Sequence, residues 1–383
     1  MLIVVYFLFF DTHFQMPVLA SFARSLDATP FLVGMIVGIY SFFNIFGNMI
    51  SGRLVDIGYG KKLVTGGVLA IALCLFFYAQ ASTPFTLLTV RSLHGLAGGL
   101  VIPVTLVHLT GNSLKNSAAL FSKRISFYGA AVGMASLSAP PLAGILASFM
   151  GYERTYMAIA ILMLLPAVLI VFFFKENRGN LLKEQLTPRQ YYHCIINSPL
   201  LKLAYRLVFV LMGATGTLVS FFPEKAENLG ASPAVTGGLF AAFAATAVIV
   251  HLFWPLLISR FNLLDNVKAG FALLLAALLL VNYLDSLPAL FFAISCYGVG
   301  FGLLFPSLLE MVAGGSQPEW RGIATGVFFV FFSLGVALVS PLAGFLQQSG
   351  LGISPFLSAA GVSLAVMATA LRLLNLATFP IQR

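Results

Sequence analysis

Apolar runs, each about long enough to cross a bilayer, recur through almost the whole sequence. Helices of about 20 residues span the ~30 Å hydrocarbon core of a membrane, and runs of roughly that length alternate here with short polar segments. The runs are continuously apolar, so they lack the alternating pattern of membrane strands. Only 9% of the residues are charged, whereas soluble domains average about 25%. The sequence therefore predicts an all-α membrane protein with twelve transmembrane helices, at residues 2–25, 31–52, 63–80, 85–109, 120–148, 155–174, 198–222, 234–257, 267–284, 288–312, 323–347 and 355–376.

The positively charged residues indicate how these helices are oriented. Cytoplasmic loops of membrane proteins are enriched in Lys and Arg. If both termini are cytoplasmic, all but four of the 21 Lys and Arg residues lie on that side. Of the exceptions, Arg24, Arg154 and Lys225 lie outside and Arg91 lies within the membrane. We therefore expect a multi-pass protein of the cytoplasmic (inner) membrane with both termini inside.

Three short patterns in the first half of the chain recur in the second half. SLDATPFLVG at 25–34 resembles NLGASPAVTG at 228–237, and the glycines and prolines of helices 4 and 5 recur in helices 10 and 11. We expect these residues to act in helix packing or as hinges; they are Gly95, Gly99, Pro103, Pro141 and Gly144, with their counterparts Gly298, Gly302, Pro306, Pro341 and Gly344. The nearly equal spacings predict two pseudo-symmetric six-helix bundles in parallel orientation, at residues 1–174 and 197–383, joined by a cytoplasmic linker at 175–196.

The segment between the second and third helices carries a recognisable motif. GRLVDIGYGKK at 52–62 resembles the G-x-L-x-D-R-x-G-R-[RK] signature of the major facilitator superfamily, with Ile57 in place of the Arg and one extra residue before the basic pair. The resemblance covers essentially the whole chain and implies the major facilitator fold, with helices 1, 4, 7 and 10 around a central cavity that opens alternately to each side. It also implies a latch that holds the cytoplasmic side closed, formed here by Gly52, Asp56, Gly60, Lys61 and Lys62.

Motifs in helices 4 and 5 resemble particular branches of that family. Proton-linked members carry R-x-x-Q-G-x-G in helix 4, and the segment from Arg91 to Gly99 is similar, with His94 in place of the Gln. Antiporters carry a Gly-rich run ending G-P-x-x-G-G in helix 5. The segment from Pro140 to Ile145 matches it in part, with Ser136 where a Gly is expected. The resemblance therefore favours the bacterial drug or metabolite:proton antiporter branch.

The charged residues inside the apolar stretches include Asp11, Arg91 and Glu310. A charge at the bilayer centre costs roughly 2.5–3.5 kcal/mol on insertion scales, so intramembrane charges usually mark functional sites. Asp11 and Gln15 are four residues apart and share a helix face, whereas His13 points elsewhere. Counting residues from the helix ends places Asp11 and Arg91 within about 10 Å of each other in height, so we expect long side chains to bridge them.

These polar residues form the predicted proton-coupling or substrate site, which comprises Asp11, Arg91, His94, Gln15 and His13. Burial disfavours the charged form of a carboxylate and a nearby cation favours it, so a carboxylate held between the two can bind and release a proton. Histidine exchanges protons in the same range, while arginine stays charged. The alternatives are a structural ion pair for Asp11 and Arg91, and a packing role for His94.

Four further residues are weaker candidates for the cavity wall, namely Asn44, Asn48, Tyr297 and Glu310. Asn44 and Asn48 share a face of helix 2, and hydrogen bonding between helices is the alternative role for them. Glu310 is near the cytoplasmic end of helix 10, where we expect it to reach the membrane interface or a loop cation such as Arg321. The spacing of His and Cys residues indicates no metal site.

The sequence thus predicts a secondary active transporter that exports a small amphipathic or organic solute in exchange for protons, by alternating access. One alternative is a proton symporter or uniporter that imports a polar solute, and a second is a transporter-like sensor or lipid-handling protein. We expect no enzyme activity and no cofactor, because no nucleophile–base or metal-ligand set is present. The expected partners are a small-molecule substrate, protons and the lipid bilayer, without nucleic acid, and the expected state is a monomer.

Overall fold

The structure is a computed structural model that describes residues 1–56, 60–110, 118–173, 198–317 and 320–376. These residues form an all-helical membrane protein with the predicted number of transmembrane helices. The helical segments are α1 Leu2–Ser25, α2 Pro30–Asp56, α3 Gly60–Ala79, α4 Pro84–Thr110, α5 Ala118–Leu162, α6 Leu164–Phe173, α7 Pro199–Asn228, α8 Pro233–Leu252, α9 Trp254–Arg260, α10 Leu263–Tyr283, α11 Leu287–Gly314, α12 Arg321–Gln348 and α13 Pro355–Leu376.

Two local features explain why these thirteen segments correspond to twelve spans. Gly151 has φ +80° and ψ 170°, which interrupts α5 and divides it between the fifth and sixth spans. The sixth span is completed by α6. Phe253 separates α8 from α9, where Pro255 has no N–H to continue the helical hydrogen bonds. Among the described residues, ten segments are long and apolar enough to cross a membrane, counting 123–173 once, and Pro355–Thr369 is a shorter apolar helix.

The turns after α1 and α7 have the same construction, as the predicted duplication requires. Asp27 and Gly230 are separated by 203 residues, and both have positive φ, at 63° and 85°. This conformation is rare except for glycine, although Asp tolerates it better than most residues. In both turns the next residue donates its backbone N–H to the carbonyl five residues earlier, from Ala28 to Ala23 and from Ala231 to Ala226. The two turns therefore resemble each other in structure as well as in sequence.

Glycines of the repeated segments bring the two halves into contact at one end. Gly144 of α5 lies against Pro233 at the start of α8, and Gly344 of α12 lies against Pro30 at the start of α2. A Cβ on either glycine would overlap the proline carbonyl oxygen, so only glycine allows this approach. The same kind of contact recurs between Gly237 and Pro140 and between Gly34 and Ser340. We call the end defined by Pro30, Gly144, Pro233 and Gly344 the closed end.

An ion-pair cluster also joins the halves at the closed end. Arg24 Nη2 of α1 lies 3.4 Å from Glu227 Oε2 of α7, and Arg24 Nη1 lies 3.9 Å from Glu224 Oε2. Ser21 donates a hydrogen bond from its hydroxyl to Glu227. Arg24 and Glu227 occupy equivalent positions of the two repeats. Because these side chains are partly exposed, each pair contributes only about 0–1 kcal/mol, so backbone packing at the glycines dominates this contact.

The other predicted packing residues join helices within one half. In the N-terminal half (α1–α6), Gly95 and Gly99 of α4 lie against the backbone of α2. In the C-terminal half (α7–α13), Gly298 and Gly302 of α11 lie against α8. The predicted hinge prolines all lie inside helices, with Pro103 in α4, Pro141 in α5, Pro306 in α11 and Pro341 in α12.

The predicted latch is only partly covered by the described residues. Gly60 begins α3, and Lys61 donates from Nζ to the carbonyl of Val171 in the last turn of α6 at 3.0 Å. A cation at this position satisfies a carbonyl that the helix leaves free. In this structure Lys61 therefore contacts its own half, and the latch role stays a prediction for all five residues of the motif. The side chain of Asp56, the surroundings of Gly52 and the predicted linker at 175–196 lie outside the described residues.

Candidate functional site

Asp11 lies near the middle of α1 and is 1% exposed. Gln15, one turn further along the same helix, donates from Nε2 to Asp11 Oδ1 at 3.1 Å. His94 of α4 approaches the other carboxylate oxygen, with 2.9 Å between Nε2 and Oδ2. Each carboxylate oxygen therefore has its own partner, one from α1 and one from α4. The shared face of Asp11 and Gln15 agrees with the helical spacing in the sequence.

His94 connects Asp11 to further buried groups. Its Nδ1 atom lies 3.0 Å from the hydroxyl of Tyr78, which comes from α3 and is fully buried. Arg91 Nη1 donates to the same hydroxyl at 3.5 Å. We call Arg91, Tyr78, His94, Asp11 and Gln15 the buried polar chain. The contacts run from Arg91 of α4 to Tyr78 of α3, return to α4 at His94, and end at Asp11 and Gln15 of α1.

The predicted direct pairing of Asp11 with Arg91 is wrong. In the described part of the chain, Asp11 is hydrogen-bonded to His94, which lies one helical turn from Arg91. Similar heights of two residues in the membrane do not determine the directions in which they point, and on α4 it is the imidazole that faces α1. The Arg91 guanidinium instead lies over the ring of Tyr40 from α2, with Cζ 4.4 Å from the centroid. Such a cation–π contact contributes about 0.5–2 kcal/mol.

Arg91 is buried with few partners for its five N–H donors. It is 7% exposed, and among the described residues its Nε atom has no hydrogen-bond partner. A buried charge is costly unless an opposite charge or hydrogen bonds compensate it. The opposite formal charges of Asp11 and Arg91 in one buried chain provide part of that compensation. Removal of either charge should therefore affect the other without direct contact.

Three tyrosines complete the site, and sequence reasoning missed all of them. Tyr156 of α5 donates to Gln15 Oε1 at 3.3 Å, and its ring meets Tyr78 edge-on with centroids 5.1 Å apart. Tyr40 packs edge-on against the His94 ring at 5.2 Å. The available signal was a tyrosine in each of three apolar helices, because a buried hydroxyl needs a hydrogen-bond partner. The chain has 12 tyrosines and 37 phenylalanines, so the presence of a tyrosine in an apolar helix does not single out these three.

His13 lies outside the buried polar chain, although it was grouped with the coupling residues. Its Nδ1 atom is 2.7 Å from the backbone carbonyl of Phe9, one turn earlier in α1. Phe9 in turn meets Tyr128 of α5 with ring centroids 5.9 Å apart. The structure therefore places His13 on a different face of α1 from Asp11 and Gln15, as the helical spacing indicates.

The C-terminal half has an uncharged link at the equivalent place. Tyr297 of α11 is 203 residues after His94, and its hydroxyl lies 2.9 Å from the hydroxyl of Thr215 in α7. Both residues are buried. The pseudo-symmetric helix pairs α1–α4 and α7–α11 are thus each joined by one polar contact. Of these two contacts, the one in the N-terminal half joins a carboxyl group to an imidazole, whereas the one in the C-terminal half joins two hydroxyl groups.

The remaining candidates have structural partners. Asn44 donates to the backbone carbonyl of Gly95 at 3.4 Å, and Asn48 donates to Asn44 Oδ1 at 2.9 Å. The Asn44 contact fits the alternative role of joining α2 to α4, whereas the Asn48 contact lies within α2. We expected Glu310 to reach the membrane interface or Arg321. It instead accepts a hydrogen bond from the indole Nε1 of Trp254 at 2.9 Å. The described residues contain no group of three or more His, Cys, Asp or Glu side chains that could hold a metal ion.

Comparison with known families agrees with this architecture. The family model described as "Major Facilitator Superfamily" matches residues 1–223 and, a second time, residues 204–381. The chain belongs to the major facilitator superfamily. The two matches overlap at residues 204–223, within α7. The protein is therefore a multi-pass membrane transporter of the secondary type and is not an enzyme.

Relatives of this major facilitator protein occur in bacteria and mammals. It is 23% identical to the uncharacterized MFS-type transporter YhhS of Escherichia coli K12 over 346 residues, which cover 88% of this chain and 83% of the relative. It is 21% identical to the inner membrane transport protein YajR of the same strain, over 90% of this chain and 76% of the relative. It is 22% identical to the mouse MFS-type transporter SLC18B1, over 85% and 74%.

Solved structures share the fold of this transporter. The nucleoside transporter NupG superposes with a TM-score of 0.77 at 14% identity, over 99% of this chain and 98% of NupG. A bacterial homologue of the human lysosomal transporter Spinster, in an inward-facing and unoccupied conformation, superposes with a TM-score of 0.73 at 14% identity, over 98% and 94%. At these identities the likeness shows the fold alone.

Proposed function

We propose that this major facilitator protein couples export of a small amphipathic organic solute to proton entry, with the Asp11–His94 pair as the proton-binding group. The pair carries the proposal because it joins two proton-exchanging side chains at 2.9 Å, each 1% exposed, on α1 and α4. A purely structural contact does not require such groups, as Thr215 and Tyr297 illustrate in the other half. Intramembrane ionisable residues commonly form the proton relays of transporters.

Partial antiporter features of α5 support exchange over symport. Pro140, Pro141 and Gly144 lie in the segment that resembles the antiporter motif. In the structure this segment packs against the start of α8 in the other half, through Pro233 and Gly237. A contact between halves at this point stabilises one of the two states that alternating access requires. The motif match is therefore consistent with a role in the conformational cycle.

An aromatic face in the C-terminal half supports an amphipathic solute. Phe301 and Phe305 of α11 stack with centroids 5.7 Å apart, and Phe301 meets Phe243 of α8 at 5.6 Å. Phe305 meets Phe328 and Phe332 of α12 at 6.2 and 6.3 Å. Phe301, Phe305 and Phe332 are only half-buried. Because apolar aromatic surface binds apolar parts of ligands, these partly exposed rings favour a solute with an apolar part.

The test is solute uptake into proteoliposomes under imposed pH gradients, with a panel of amphipathic compounds. An antiporter accumulates solute when the vesicle interior is acidic, whichever way the protein is inserted, because outward proton flow drives solute inward. A symporter accumulates solute when the exterior is acidic. Asp285→Asn serves as the control, since this carboxylate is exposed and pairs with Lys225 away from the buried polar chain.

We expect accumulation with an acidic interior for the wild type and for Asp285→Asn. Accumulation with an acidic exterior would overturn the proposed direction of coupling and support the import alternative. Uptake that equilibrates solute without responding to either gradient would overturn proton coupling and leave uniport. The two results are separable because the same vesicles report both the sign and the extent of accumulation.

A further inference from the structure

The hydrogen bonds of the buried polar chain can be assigned a direction from its ends. Arg91 has only donors, so the Tyr78 oxygen accepts from Arg91 Nη1 and the Tyr78 hydroxyl proton is free to point at His94 Nδ1. Nδ1 then accepts, and the imidazole proton lies on Nε2, which donates to Asp11 Oδ2. Gln15 donates to Oδ1. Every donor in the chain therefore points towards an ionised Asp11.

Arrival of one proton reverses the part of this chain between Asp11 and Tyr78. If the proton ends on Asp11 Oδ2, it comes from His94 Nε2 across their hydrogen bond while the arriving proton binds Nδ1, so that Nε2 now accepts and Nδ1 donates. If the proton binds His94 at Nδ1, the same nitrogen becomes a donor directly. In both cases an N–H now faces the Tyr78 hydroxyl proton. The hydroxyl therefore turns away, and its oxygen must accept from His94 and from Arg91 together.

We propose that Tyr78 is the positioning residue that transmits the protonation state of the Asp11–His94 pair to Arg91. This inference rests on the proposed proton coupling and adds a residue that acts through its neighbours without binding solute. In the described structure the Tyr78 hydroxyl has two hydrogen-bond partners, Arg91 and His94, so its reorientation changes both contacts. Arg91 in turn lies over Tyr40, which is only half-buried, whereas Tyr78 is fully buried. The proton is thus linked through Tyr78 and Arg91 to a less buried ring of α2.

Among the described residues, no charged side chain outside the buried polar chain forms a hydrogen bond or ion pair with it. The titratable groups near His94 and Asp11 come from five helices. They are Asp11 from α1, Tyr40 from α2, Cys74 and Tyr78 from α3, Arg91 from α4, and Tyr156 from α5. Of these, Tyr156 offers a second route, because a proton on Asp11 Oδ1 would reverse the contacts of Gln15 and Tyr156 instead.

The first test reads the tautomer of His94 directly in the wild-type protein. Nitrogen NMR of ¹⁵N-histidine-labelled protein distinguishes protonated from unprotonated ring nitrogens, and His94→Gln identifies the signal by its loss. We expect Nε2–H with unprotonated Nδ1 at high pH, and a protonated Nδ1 as the pH falls. An Nδ1–H tautomer at high pH in the wild type would overturn the direction of the chain, whatever the transport assay shows.

The second test removes only the hydroxyl, in Tyr78→Phe. We expect the His94 tautomers to mix and gradient-driven accumulation to fall about tenfold, in line with the loss of a buried hydrogen bond, while solute exchange without a gradient persists. Tyr205→Phe is the matched control, since it removes a buried hydroxyl that donates to the backbone carbonyl of Ala324 away from the buried polar chain, and it should leave the pH profile unchanged. A changed pH profile in Tyr156→Phe with none in Tyr78→Phe would assign the relay to Gln15 and overturn the proposal.

The proposed proton coupling and the proposed role of Tyr78 can be contradicted separately. Transport that ignores pH in the wild type would contradict the proposed function, while the tautomer of His94 would still test the assigned hydrogen bonds. Pronounced proton coupling with an unaltered pH profile in a folded Tyr78→Phe protein would contradict the role of Tyr78 alone. If Tyr78→Phe does not fold, the wild-type nitrogen spectra decide the proposal.

Discussion

We expect Arg91 to contribute to transport and stability through both its charge and its shape. Two substitutions separate these effects. Arg91→Lys keeps a cation near Asp11 but replaces the planar group that lies over Tyr40. Arg91→Ala removes the charge and leaves Asp11 in a buried chain without a cation. We expect partial transport activity for Arg91→Lys, a larger loss for Arg91→Ala, and a lower melting temperature in detergent for the Ala variant.

The double variant Asp11→Asn with Arg91→Ala tests whether the two charges are coupled. Because His94 and Tyr78 lie between them, we expect an interaction energy of about 0.5–3 kcal/mol in thermal stability, with the double variant more stable than Arg91→Ala alone. Arg24→Ala is the matched control, since Arg24 is partly exposed and pairs with Glu227 at the closed end. Strictly additive losses for the Asp11 and Arg91 changes would show that the charges act independently.

At the residue scale, the sequence grouped polar residues that the structure also brings together, and it predicted one contact that is wrong. Charge in an apolar stretch identifies Asp11 and Arg91, and helical spacing pairs Asp11 with Gln15. The rotation of α4 relative to α1 decides that His94 and not Arg91 meets Asp11, and this rotation depends on packing between distant parts of the chain. The role of Tyr78 could not be predicted for the same reason, because the hydrogen bonds of its hydroxyl depend on which side chains of another helix lie beside it.

At the scale of elements, the glycine contacts at the closed end predict a difference between two positions of one helix. Gly144 of α5 touches Pro233, whereas Gly129 of the same helix has open space around it. Gly144→Val should therefore separate α5 from α8 and favour the state that is open at this end, while Gly129→Val should have little effect. The readout is the distance between spin labels placed on α5 and α8 at the closed end.

A longer distance in Gly144→Val than in the wild type, with no change in Gly129→Val, is the expected result. Equal distances in all three proteins, with normal folding, would show that the glycine contact does not hold this end closed. Spin labels in the C-terminal half alone, for instance on α10 and α13, provide a reference distance that neither substitution should alter.

The positions of the elements follow from local sequence, while their contacts do not. Apolar run length predicts the twelve spans, and the repeated turn sequences predict matching turns at Asp27 and Gly230. The Pro-Leu-Ala-Gly sequence recurs at 141–144 and 341–344, and each copy contacts the turn of the opposite half. This crossed contact is a product of the pseudo-symmetry of the assembled protein. Sequence offsets show that the segments repeat, but they do not show which repeat touches which.

At the scale of the whole molecule, the distribution of positive charge predicts the orientation in the membrane. In a background without Cys74, Cys194 and Cys296, a cysteine at Lys61 should react with an impermeant reagent only from the cytoplasmic side. A cysteine at Asp285, in the turn before α11, should react only from outside. Reaction of the residue 61 cysteine in intact cells would reverse the topology and place the closed end inside.

The membrane class and the fold of the whole molecule were predictable because a bilayer permits few architectures. Apolar runs must form helices, and an even number of spans with internal repeats indicates paired six-helix bundles. The solute was not predictable, because it depends on the shape between the halves. The aromatic face formed by Phe243, Phe301, Phe305, Phe328 and Phe332 arises from three helices and has no signature within any one of them.

The most direct test of the account compares Asp11→Asn with the wild type in two assays of the same proteoliposomes. We predict that the variant loses accumulation driven by a pH gradient but retains exchange of labelled for unlabelled solute, because exchange requires alternation without net proton movement. The pH dependence of transport should disappear with the accumulation. Undiminished gradient-driven accumulation and an unchanged pH dependence in a folded Asp11→Asn protein would contradict the claim that the Asp11–His94 pair carries the proton.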